Sequence, residues 1–119
     1  MTIDEVRNYE TTFIVVPELD KNEYKDKIEH FKGIVTRKGG ELINEEIWGS
    51  QKMAYEMEGH STGYYVFFEF TAPASTIEEL EQAYEFDEQV LRHLTVRLGK
   101  YAVEWNEKRR SRRKEASKA

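Results

Sequence analysis

Three histidines, no cysteine and a terminal block of arginine and lysine are what this 119-residue chain offers to chemistry. His30, His60 and His93 show no HxH or HxxxH spacing, so each reads as a surface or half-buried imidazole. The absence of cysteine excludes disulfides and thiolate metal sites. Glu45-Glu46 and Glu78-Glu79 are acid pairs, but a catalytic dyad needs two carboxylates in contrasting environments, and adjacent acids usually share a solvated face. Neither GxxxxGK[ST] nor GxGxxG occurs, so no phosphate cradle is offered. These absences point away from an enzyme, a cofactor, a metal or a small-molecule substrate.

Charge is the stronger signal. Residues 1–107 hold 22 acidic and 11 basic side chains, a body of −11, whereas residues 108–119 hold seven basic and one acidic, a tail of +6. A terminal block of like charge cannot bury itself and acts as an interaction tail. Phosphates attract such a block because each one neutralised releases counterions. Lys108, Arg109, Arg110, Arg112, Arg113 and Lys114 are therefore candidate contacts to an anionic polymer such as RNA, the alternative being a disordered end that improves solubility. Such a tail is expected to be solvated and to add little to the core. No apolar run approaches the ~20 residues of a membrane helix. The start of the chain, Met1 to Arg7, is acidic and mixed, without the apolar stretch of a signal peptide. A cytoplasmic protein is the expectation.

Tyr64 to Phe70 is dense in aromatics, which raises the question of base stacking. The RNP1 signature of RNA recognition motifs is K/R-G-F/Y-G/A-F-V-x-F/Y. Laid on Thr62 to Glu69, it matches at Gly63 and Tyr64. Thr62 lacks the charge, Tyr65 is too large for the small site, and Val66 and Glu69 replace aromatics. The run reads instead as core and partner-facing surface.

The elements that would position these residues follow from periodicity. Tyr9 to Val16 is a β-branched and aromatic strand. Asp20 precedes Glu23 by a capping-box interval, and Tyr24, Ile28, Phe31 and Val35 recur at helical spacing. Gly39-Gly40 closes that helix. Glu41 to Met57 is a long strand, with Gly49 where a bulge belongs. Residues 58–63 form a turn, and Tyr64 to Phe70 is the next strand. Ser75 and Glu78 suggest a second capping box, followed by Ile77, Leu80 and Tyr84 on a helix face. Asp87-Glu88 turns the chain into a last strand, Val90 to Leu98. Tyr101 to Asn106 is a short helical or irregular lead into the tail.

The order strand, helix, strand, strand, helix, strand predicts an α+β, ferredoxin-like split βαβ fold. Its four-stranded antiparallel sheet carries both helices on one face. The first and third strands, the most apolar, take the centre. Residues 1–8 are a short N-terminal arm, 9–100 the ferredoxin-like domain, and 101–119 an extension ending in a flexible basic tail. On this fold alone the chain could also be a stand-alone interaction or ligand-sensing domain.

Trp48 to Met57 narrows the choice. The stretch resembles the signature of the bacterial small-subunit ribosomal protein six family: glycine, any, basic, polar, Leu, Ala/Ser, Tyr, any, Ile. Gly49, Lys52, Ala54 and Tyr55 match. Gln51 stands where a basic residue is usual, and Met53 and Met57 replace Leu and Ile. Asn8-Tyr9-Glu10, Pro17 to Asp20, Ser61 to Tyr65 and Asp87 to Leu94 also resemble the family, so the likeness runs from Tyr9 to about Lys100. Glu85-Phe86 departs from it, where arginines are common. The resemblance implies a structural constituent of the small ribosomal subunit. Its partners would be 16S ribosomal RNA and ribosomal protein eighteen, bound as a heterodimer on the platform. It also implies RNA contacts through Tyr9, Lys52 and Arg92, with Tyr55 read as a packing residue.

Overall fold

In a computed structural model the chain is described over residues 5–118, with side chains over 5–112. The elements are β1 (Val6–Val15), α1 (Lys21–Thr36), β2 (Glu41–Met57), β3 (His60–Pro73), α2 (Ala74–Phe86), β4 (Val90–Arg97) and α3 (Lys100–Lys118). The sheet is antiparallel throughout, in the order β2-β3-β1-β4. The two most apolar strands are central, as the ferredoxin-like reading requires.

Strand alternation sorts the sheet into two faces. Tyr9, Phe13 and Val15 of β1 and Val66, Phe68 and Phe70 of β3 meet Phe31, Val35, Leu80 and Tyr84 of α1 and α2 in one core. Phe13 sits at its centre, 4.9 Å from the Phe31 ring and 5.2 Å from that of Tyr84. Tyr24 of α1 stacks on Tyr64 of β3 at 3.8 Å. The intervening residues, among them Glu10 and Thr12 of β1, and Phe67 and Glu69 of β3, face away from α1 and α2.

Local signals set the element ends. Asp20 caps α1, its side chain accepting from the Glu23 N–H at 2.9 Å, with the reciprocal Glu23 contact present. Gly49 has φ +72° and lies at a register shift between Ile47 and Gly49, the bulge its position predicts. The β2–β3 turn is tighter than expected. Glu58 and Gly59 alone form it, with φ 49° and 80°, the pattern of a two-residue type I′ hairpin loop.

Two further expectations, both about helices, differ from the structure. Pro73 rather than Ser75 is the N-cap of α2, with no side-chain cap bond. Burial of Thr76, Leu80 and Tyr84 fixes the helix register and draws Ser75 inside its first turn. Where a short lead and a flexible tail were expected, the backbone is helical from Lys100 to Lys118.

Candidate nucleic-acid interface

The face of the sheet turned away from α1 and α2 carries the exposed groups that could meet a polymer. On β4, Arg92, Leu94 and Val96 alternate outward opposite Ile14, Thr12 and Glu10, with Leu94 62% exposed. On β2, exposed Trp48 stacks on Tyr65, and its indole N–H donates to Glu46 at 3.1 Å. Exposed apolar residues gathered on one face are the kind of surface that interactions use.

Arg92 is held in place. Its Nη1 donates to the Tyr55 hydroxyl at 2.8 Å, although β4 and β2 are the opposite edges of the sheet. Tyr55 lies beyond the bulge at Gly49, in the stretch between Lys52 and Met57 where β2 leaves its register with β3. Met53, in that stretch, is buried beside Gly63 and Ile14. A guanidinium fixed by a neutral hydroxyl keeps its remaining N–H groups and its full charge for an anion.

The two tyrosines singled out from sequence sit the other way round from their expected settings. Tyr9 is 7% exposed and stacks on Phe70 in the core, which leaves little of it for RNA. Tyr55, read as a packing residue, is 60% exposed and positions Arg92. Lys52 is exposed on β2 opposite Thr62.

The basic block divides by helical side. Lys108 and Arg112 are exposed on α3, whereas Arg109 and Arg110 are half-buried. Arg110 reaches Glu69 of β3, Nη1 to Oε1 at 2.7 Å. That carboxylate is 1% exposed. One arginine expected to meet phosphate is thus committed within the fold, and α3 covers part of the open face. The side chains of Arg113 and Lys114 lie outside those described. Sequence reading missed Glu69 as a partner; the only signal was an acid inside an otherwise apolar strand.

Among the described residues no group of three His, Asp or Glu side chains could hold a metal. No helix there is long and apolar enough to cross a membrane.

A family model described as ribosomal protein S6 matches residues 8–97. The small ribosomal subunit protein bS6 of Phocaeicola vulgatus is 46% identical over 106 residues, 89% of this chain and 93% of that one. The protein of the same name from Flavobacterium psychrophilum is 40% identical over 114 residues, 96% of this chain and all of that one. Among solved structures, 30S ribosomal protein S6 from Thermotoga maritima superposes with a TM-score of 0.77 at 27% identity. That match covers 90% of this chain and 99% of the other.

Proposed function

The chain belongs to the ribosomal protein S6 family, a structural, non-enzymatic constituent of the small ribosomal subunit, and from that premise we propose that it binds 16S ribosomal RNA jointly with ribosomal protein eighteen. The observation that carries this reading is the divided character of the surface. Arg92 is pre-set by Tyr55 on the sheet face that α1 and α2 leave open, beside exposed apolar residues and within an acidic body. An acidic surface repels phosphate but suits a basic protein partner, which would supply steering and most of the charge. Lys52 and Arg92 then add charge-assisted bonds to phosphates, fixing register rather than reading sequence. Residues 9–100 serve as the docking body and the C-terminal extension as a further RNA contact.

The test is sedimentation. The chain should pellet with the small subunit at low salt and be released as salt rises. Lys52→Ala with Arg92→Ala should be released at lower salt, because two phosphate contacts are gone. A chain that stays in the supernatant at low salt contradicts the reading.

A further inference from the structure

At about 3.6 residues per turn, α3 has two opposite sides. Ala102, Val103, Asn106 and Arg110 share one and are buried or half-buried, with half-buried Arg109 at its margin. Arg110 pins that side to Glu69 at 2.7 Å, so the opposite side is held toward solvent. Tyr101, Trp105, Lys108 and Arg112 lie there, spaced by four, three and four residues, which keeps them in one stripe. Tyr101 is 84% exposed and Trp105 56%; Lys108 and Arg112 are exposed too. Glu104 stands three residues after Tyr101 and four before Lys108, and Glu107 adjoins Lys108 and Arg112, so the two cations offset two carboxylates and the rings carry the site.

A helix solvated by charge has no structural need for two exposed rings one turn apart. We infer that this stripe binds single-stranded RNA, the rings stacking on bases and the two cations taking the neighbouring phosphates. The inference rests on the ribosomal-RNA reading above and deepens it by naming a site and a strand form. Base stacking on aromatics is tolerant of sequence and needs bases that are not already paired. In an A-form duplex the bases are stacked on one another, so the rings would find no free face. The stripe pairs rings with cations, the combination that a single strand meets with its bases and phosphates. Its length, about 16 Å from Tyr101 to Arg112 at the helical rise, suits a short run of nucleotides.

The full-length chain is titrated at low salt with a labelled RNA strand of about ten nucleotides, within the site sizes of stacking platforms. The same strand annealed to its complement is titrated alongside. The strand should bind more tightly than the duplex. Tyr101→Ala with Trp105→Ala should weaken strand binding by about tenfold or more and leave duplex binding unchanged. Phenylalanine at both positions should restore most of the loss. Leucine at both, which keeps the helix and apolar bulk but cannot stack, should not. Lys108→Ala with Arg112→Ala should lower the slope of log K against log salt by about 1.4. Failure of the wild-type chain to bind the strand overturns the inference, as does unchanged binding by the alanine pair or full rescue by leucine. Binding of the chain and ribosomal protein eighteen to a ribosomal junction RNA is measured in parallel. If junction binding holds while strand binding is absent, the stripe alone is refuted; if junction binding is absent, the broader reading falls with it.

Discussion

Arg110 of α3 neutralises Glu69 in the middle of β3, Nη1 to Oε1 at 2.7 Å, across the face that α1 and α2 leave bare. Glu69 is 1% exposed, and its Oε2 has no hydrogen-bond partner among the described residues. Removing one partner of such a pair strands a charge away from water. Arg110→Ala should therefore destabilise the fold. The loss should be about 1–3 kcal/mol, below that of a sealed ion pair, because a terminal helix can lift and admit water. Glu69→Gln in the same background should recover part of it. Urea denaturation measures both, and an unchanged midpoint for Arg110→Ala would show that the pair is idle. Deleting residues 108–119 should also lower the melting temperature, since it removes Arg110; a wholly solvated tail would leave it unmoved.

Gly49 has φ +72° and open space where a Cβ would stand. A Cβ there meets nothing within 4 Å, so the cost of Gly49→Val is set by backbone strain, about 1–3 kcal/mol. Bulges bend the strand that carries them, so the same variant should loosen the Tyr55–Arg92 bond and weaken RNA binding. A melting temperature equal to wild type would show that the bulge relaxes at no cost.

Tyr84 is fully buried, and its hydroxyl meets Thr11 Oγ1 at 3.0 Å. Burial pushes its pKa well above the usual phenol value, outweighing the lowering effect of Thr11. The folded state thus keeps the proton longer than the unfolded chain. Its contribution is fully present below about pH 10, the unfolded value, and is lost as pH rises beyond it. Lys32, raised first by its bond to Glu45, has the same sign. Alkaline unfolding should begin just above about pH 10. Tyr84→Phe should move its midpoint upward, while costing about 1 kcal/mol at neutral pH for the lost bond. Thr11 keeps Thr95 at 2.8 Å, so no hydroxyl is orphaned. An alkaline midpoint unmoved by Tyr84→Phe would assign the transition to other groups.

Much of the fold is legible in local chemistry. Asp20 and Glu23 announce the start of α1 because a capping box satisfies backbone donors within four residues. Gly49 announces the bulge because few other residues take positive φ there. The bounds of β2 also follow from Gly39-Gly40 and the Glu58-Gly59 turn. What needs the tertiary structure is less legible. Helix α3 buries Asn106 and half-buries Arg110, so its inner side carries no hydrophobic period and reads as a solvated tail. The roles of Tyr9 and Tyr55 depend on sheet register and on the curl of β2, and residue type carries neither. Ser75 and Glu78 have the spacing of a cap, yet the burial of Thr76 decides where α2 begins.

Residues 1–107 carry −11, and the proposed sharing of RNA binding with a basic partner rests on that charge. Filter binding of a ribosomal junction RNA, with the full-length chain alone and with ribosomal protein eighteen added, tests it most directly. The chain alone should bind weakly and gain strongly with the partner, above the sum of the two proteins measured separately. Equal affinity with and without the partner would contradict it.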